Sequence, residues 1–306
     1  MASPITSGAF PDALNPVFRK QSREDFAGTP DLVGQLFGSG SSDRNQERIT
    51  SISGLPDFVA FTGSVSYAGP DEGYDVTVTH KQFARGVQIQ RTLWDDDQHG
   101  QIRQIFTGLG RAAHNTRQKD AAQPFNTAFT TDSEFYTHTE GVSLCSNSHT
   151  TTVEGVDTSS GFDNLITNEM SGTAFTVARY TMRLFNDFQG EPIDEVFDEV
   201  LVPAELEDEA LVILRTRTGL DTASGDANVH QMRNIKLISS ARLTDSNNWF
   251  VMNSRLRNDN LVWIDRTPFE TARMEAFDQM NFKGRGYMRY SYYWLFWQFV
   301  LGAQVS

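Results

Sequence analysis

Three groups of residues in this chain have types and spacing that could do chemistry. The first is Asp95-Asp96-Asp97, a carboxylate triplet that could hold a divalent cation. Adjacent residues at a helix start point in different directions, and acids there suit the positive end of the helix dipole, so capping accounts for them with fewer assumptions. The second is Cys145 with His149 four residues on: a thiol with an imidazole base, or half of a zinc site. No second pair accompanies them. The histidines (His80, His99, His114, His138, His149, His230) are dispersed, and Cys145 stands in a Ser/Asn-rich stretch, so neither zinc nor catalysis is expected. The third is Glu191 to Glu209, with nine acids (Glu191, Asp194, Glu195, Asp198, Glu199, Glu205, Glu207, Asp208, Glu209) and no Lys or Arg. Either this is a solvated acidic face, or it meets basic groups on an identical neighbour. Arg greatly outnumbers Lys here and pairs with carboxylates bidentately. Like charges on one surface repel, so in the second reading some of these acids meet arginines across the interface; the solvated face remains the simpler reading. Gly108-Leu109-Gly110 lacks the spacing and preceding strand of a dinucleotide loop. No catalytic residue, cofactor or metal is expected.

The elements that would carry these residues follow from periodicity and turn signals. Residues 1 to about 54 are punctuated by Pro4, Pro11, Pro16 and Pro30 and contain Gly-Ser-Gly-Ser-Ser at 38–42, a flexible composition. Phe10, Leu14, Phe18, Phe26, Leu32, Leu36 and Phe37 are scattered through it. Composition leaves open a disordered tail or an arm reaching a neighbour. Residues 55 to 93 read as a long hairpin. Phe58-Val59-Ala60-Phe61 and Val65-Ser66-Tyr67 form one arm, 68–73 the turn, and Tyr74 to Thr79 with Val87 to Gln90 the return. Its polar tip is poor core material, so it projects. Helical spacing of Ile102, Ile105, Phe106, Leu109, Ala112, Ala113 and Thr116 continues to about Phe129, with Arg103, Arg111, Arg117 and Lys119 on other faces and Pro124 kinking or ending it. A second helix spans about Ser171 to Phe188, stopped by Gly190 and Pro192. Then come a strand at 200–202, Pro203, a helix with Leu206, Ala210, Ile213 and Leu214 inward, and strands at 235–239 and 249–253. Tyr287 to Val300 is apolar on both alternating faces, a strand buried on both sides. The class is α+β.

Composition bounds the function. The chain has 306 residues, 39% hydrophobic and 21% charged, as a folded protein should. A net charge of −13 argues against a sequence-independent nucleic-acid binder, which needs a basic stripe. Aromatic content is 11% with 22 Phe, useful where faces are buried against neighbours. One cysteine rules out an intrachain disulfide. No signal peptide is visible, and the run Tyr292 to Val300 is shorter than the roughly 20 residues a bilayer requires. A cytoplasmic protein without membrane partners is expected.

The order of elements resembles the HK97-type major capsid proteins of tailed double-stranded DNA phages. Lys81-Gln82-Phe83-Ala84-Arg85-Gly86-Val87-Gln88-Ile89, then Leu93 to Gly100, is similar to that family's passage from its E-loop into its spine helix. Phe125-Asn126-Thr127-Ala128-Phe129, then Leu144-Cys145-Ser146-Asn147-Ser148-His149, is similar to the stretch after the spine, with its Leu-x-Ser-x-x-His string. Leu201-Val202-Pro203 with the helix through Ile213-Leu214 resembles the opening of the axial domain, and Asn247-Asn248-Trp249-Phe250 a strand start within it. The match in order spans roughly 57 to 300.

The resemblance implies an HK97-like capsid fold divided into an N-terminal arm (1–54), an E-loop with flanking strands (55–93), a peripheral domain with the spine helix (94–190), an axial domain (191–280) and a C-terminal strand returning to the core (281–306). It implies a shell subunit, not an enzyme. Such a subunit assembles in the host bacterial cytoplasm as pentamers and hexamers of an icosahedral or prolate virion head around double-stranded DNA. Scaffolding, portal and decoration proteins are the further partners expected. The assembly contacts would be the E-loop tip (Tyr67, Gly69, Pro70, Asp71, Glu72, Gly73, Tyr74), the arm (Phe10, Leu14, Phe18) and the acidic face (Glu205, Glu207, Asp208, Glu209). The famous Lys–Asn cross-link of one relative does not carry over, because Lys81 lies near the base of the E-loop region. The short, proline-punctuated N-terminus points to a separate scaffolding protein. Three rival readings are an encapsulin-like nanocompartment shell, a carboxylate-dependent hydrolase, and a tail or decoration protein, which the long helix disfavours.

Overall fold

A computed structural model of the chain describes residues 31–92, 101–216, 228–276 and 280–305. The first part holds α1 (Leu32–Leu36), β1 (Gly38–Gly40), β2 (Gln46–Ile52), β3 (Glu72–Thr79), β4 (Lys81–Gln90), α2 (Gln101–Asn126), β5 (Tyr136–His138), β6 (Leu165–Ile166) and α3 (Gly172–Arg183). The second holds β7 (Glu199–Pro203), α4 (Glu207–Arg215), β8 (Lys236–Ser240), β9 (Trp249–Met252), α5 (Ser254–Asn260), β10 (Leu261–Ala276), β11 (Asn281–Trp294) and β12 (Val300–Ala303). They make a four-stranded sheet β1-β10-β11-β4, a five-stranded sheet β6-β12-β9-β7-β8 and a three-stranded sheet β2-β3-β5.

The long helix α2 lies on the four-stranded sheet because small residues let it approach and large aromatics fill the gap. Ala121 and Ala122 are fully buried, beside Phe125. The sheet presents Trp263, Tyr290, Tyr292 and Trp294, with Trp263 and Phe83 each stacked 4.7 Å from Tyr290. Burying one such ring stabilises the fold by about 4–6 kcal/mol against an extended chain, an upper bound. The polar tip of each ring finds a partner: Tyr290 donates to Asp120 at 2.6 Å, Tyr292 to Asp132 at 3.2 Å and Trp294 Nε1 to the Tyr136 hydroxyl at 2.7 Å. Arg117, expected on a face other than the apolar one, pairs bidentately with Asp265 at 2.7 and 2.9 Å and sits over the Trp263 ring. Pro124 falls in the last turn of one continuous helix.

The five-stranded sheet is buried on both faces: every residue of β7, β9 and β12 is buried. Phe175 of α3 stacks on Trp249 at 5.2 Å, and Ala210, Ile213 and Leu214 of α4 face inward. A single apolar cluster continues from this sheet into the one beneath α2.

Three expectations are corrected. The Gly-Ser stretch at 38–42 is not loose: Gly38 to Gly40 is strand β1, parallel to β10, and α1 buries Leu32, Val33 and Leu36 with Phe37 behind it. A Cβ on Gly38 would meet the Asn258 carbonyl oxygen at 2.0 Å, so close approach, not flexibility, requires that glycine. Phe10, Leu14, Phe18 and Asp95-Asp96-Asp97 lie outside the described residues. The apolar run 287–300 is not one strand: β11 ends at Trp294 in one sheet, and β12 begins at Val300 in another. The third correction concerns the hairpin.

Candidate assembly interface

The hairpin is built from β2 and β3, with Gln46 opposite Thr79 and Ile49 opposite Val76; β5 flanks the other edge of β3. Its first arm is therefore Gln46–Ile52, upstream of the segment whose composition reads as strand. The alternation in Gln-Glu-Arg-Ile-Thr-Ser-Ile was the available signal. Residues 53–71, including Phe58–Phe61 and Val65–Tyr67, contain no strand. Pro56 and the positive φ of Gly63 (109°) interrupt them, and among the described residues no strand pairs with them. They leave Leu55, Phe58, Val59, Phe61, Val65 and Tyr67 exposed, Phe58 completely.

The loop is closed at its base. Ser53 N donates to Asp71 O at 2.9 Å, and Asp71 N donates back to Ser53 Oγ at 2.8 Å. Ser51 Oγ donates to Tyr74 O at 2.8 Å, Arg48 pairs with Asp75, and a Cβ on Gly73 would meet Ser51 Oγ at 2.2 Å. Glu72, Gly73 and Tyr74 are thus not the tip: they open β3. Tyr74 OH contacts Thr150 Oγ1 at 2.5 Å, and Thr152 Oγ1 donates to Glu72 O. Tyr67, Gly69, Pro70 and Asp71 do lie in the exposed loop. Further back, His80 joins β3 to β4 and ties the hairpin's two legs to the larger sheet. Its ring nitrogens lie 2.8 Å from Ser291 Oγ of β11 and 3.1 Å from Ser42 Oγ, just before β2. Burial, aided by Arg289, holds its pKa below the usual imidazole range.

The acidic run divides in two. Asp194 pairs with Arg183, Glu195 with Arg255, and Asp198 accepts from Ser254 N at 2.7 Å. Glu199 is buried between Lys236 and Arg257, at 2.8 Å from each. These acids hold the chain's own loops together. Glu205, Glu207, Asp208 and Glu209 instead stand exposed at the start of α4, where carboxylates suit the helix dipole, and Ser239 Oγ donates to Glu207.

The nucleophile reading of Cys145 fails on burial. The thiol is packed against Gly302, and burial pushes its pKa well up, the opposite of what a thiolate nucleophile needs. His149 is committed elsewhere, with Nδ1 3.0 Å from the buried Glu140 and its face stacked on Trp297. Among the described residues no cluster of His, Cys, Asp and Glu could hold a metal ion, and no helix is long and apolar enough to cross a membrane.

A family model described as phage capsid protein matches residues 73–301. The chain belongs to the phage capsid protein family. Solved structures place this major capsid protein in the HK97-type α+β fold. The capsid of the cyanophage P-SCSP1u aligns with a TM-score of 0.58 at 12% identity, covering 90% of this chain and 87% of its own. The capsid of a native GTA particle gives 0.57 at 9% identity, over 100% and 96%. A virus-like particle from Pyrococcus furiosus gives 0.54 at 6% identity, over 94% and 98%. At such identities these likenesses speak for the fold, and the family match speaks for a phage capsid. No curated protein matches the capsid protein by sequence.

Proposed function

We propose that this capsid protein acts only by geometry: it builds pentamers and hexamers that close an icosahedral or prolate head around double-stranded DNA. No catalytic step is part of this role. The single observation that carries the reading is the 53–71 loop, held at its base by paired hydrogen bonds while its apolar side chains face outward. A large exposed apolar surface marks a docking site. Specific interfaces bury about 1,600 Å² in total, and a reaching loop adds area without enlarging the core. In this reading 46–79 is the E-loop, α2 the spine helix that stiffens the peripheral domain, and the lobe around β7 and β9 the axial domain. Phe10, Leu14 and Phe18 anchor an N-terminal arm on a neighbour, and Glu205, Glu207, Asp208 and Glu209 meet its arginines. Assembly takes place in the host cytoplasm with scaffolding and portal proteins, and a decoration protein is a further partner.

Electron microscopy of the expressed chain, with a scaffolding protein supplied, tests this. Closed shells are expected. Deleting residues 55–68 should leave a folded subunit with an unchanged circular dichroism spectrum that makes no shells. Normal shells from that deletion would remove the loop from the interface, and an intact chain that stays monomeric under every condition would overturn the reading.

A further inference from the structure

We infer that the free edge of β4 in one subunit accepts residues 55–67 of a second copy as an added strand. This rests on the shell reading above and names the surface that receives the loop.

Donor and acceptor are complementary in three respects. The first is hydrogen bonding. Among the described strands β4 pairs with β11 alone, from Lys81 opposite Tyr290 to Gln90 opposite Asn281. Its other edge presents a row of backbone N–H and C=O groups, the template on which an extended segment adds. Residues 55–67 are rich in strand-forming side chains yet pair with no described strand; Pro56 stands near one end, where a missing N–H is tolerated, and Gly63, at φ 109° here, can turn to the extended region without a Cβ penalty. Extended, they reach about 43 Å, against about 33 Å for the ten residues of β4.

The second is shape. Two hollows lie over the sheet beside this edge, each spanning β4, β11 and β10. One, of about 220 Å³, is lined by Phe83, Leu109, Ala113, Phe269 and Met288, between β4 and α2. The other, of about 540 Å³, is lined by Val87, Gln88, Ala272, Met274 and Gly284, near the end of the β10–β11 hairpin. Each is apolar enough to take side chains such as Phe58 and Phe61. Gly86 leaves the backbone of β4 exposed, whereas Gly284 and Gly286 are buried, Gly286 beneath the Phe269 ring.

The third is charge. The loop carries Asp57 and Asp71 and no base, whereas Arg85, Arg273, Lys283 and Arg285 line the hollows. Complementary rims steer association and fix register.

Cysteine cross-linking tests the pairing, helped by the burial of Cys145, which leaves engineered thiols as the reactive ones. Ser66→Cys and Gln88→Cys are placed on separate chains of different tag length, co-assembled and oxidised. A disulfide dimer of mixed tags in assembled particles, absent before assembly, is expected. Particles that form without that dimer would overturn the strand addition while leaving the shell reading intact; no particles from the unmodified chain would instead sink the shell reading. A double variant carrying both cysteines that closes the bond within one chain would also overturn the proposal. Charge reversal gives a second readout. D57K with D71K should cut particle yield about tenfold, and adding R85E with R285E should restore it to within about twofold. Failure of that rescue, with all variants folded by circular dichroism, counts against β4 as the acceptor.

Discussion

Leu55–Tyr67 and Tyr287–Val300 are both rich in apolar and aromatic residues, yet the fold treats them oppositely. In the second, Tyr290, Tyr292, Trp294 and Phe299 are almost wholly buried; in the first, Phe58, Phe61 and Tyr67 are among the most exposed side chains described. Hydrophobicity says only that a segment should leave water. It does not say whose surface takes it in. The second segment finds partners in two sheets: β11 pairs with β10 as far as Trp294 and with β4 as far as Tyr290, and from Val300 β12 pairs with β9. The first is broken by Pro56 and Gly63 and pairs with no strand among the described residues.

The contrast breaks if matched truncations in the two segments behave alike. Tyr292→Ala should cost the isolated subunit about 3–5 kcal/mol by chemical denaturation, because it empties a fully packed site and removes one of the donors to Asp132. Phe58→Ala should change subunit stability by no more than about 0.5 kcal/mol while reducing particle yield. Equal destabilisation by both would show that the loop packs on its own subunit.

The acidic run sharpens the same point with charge. Glu199→Gln leaves Arg257 buried beside a neutral partner and should cost about 3 kcal/mol. Glu209→Gln, in the exposed half, should stay within about 0.5 kcal/mol in the subunit. Denaturation midpoints of the two variants decide it.

The smallest effect concerns pH. Burial lowers the pKa of His80, His138 and His230 in the folded chain. Below about pH 6.5 the unfolded state therefore binds more protons. The stability these histidines contribute is present above the unfolded pKa and is lost as pH falls toward their folded values. The thermal midpoint should drop between pH 7.5 and 5, and His80→Asn should flatten that drop. An unchanged slope in His80→Asn would mean that the hairpin root does not sense protons.

Much of this was legible in the residues. The helices α2 and α3, the strand-Pro-helix of β7 and α4, and β8 and β9 follow from periodicities of 3.6 and 2, set by local geometry. The phage capsid reading was legible in their order. The first hairpin arm was not, because apolar composition outweighed the quieter alternation of β2. Nor was the break at residues 295–299, since a strand that ends one sheet and a strand that starts another read alike when both are buried. Ser171 as the cap of α3 illustrates what local chemistry dictates.

Tertiary structure alone decided the partners. Whether a carboxylate such as Glu199 is buried against Arg257 or, like Glu209, left in water depends on residues distant in the chain. So does the fate of an apolar segment, which rests on the strand edges within its reach. Local sequence sets backbone preference and polarity, but burial is a property of pairs, and pairs form only when the fold brings their members together.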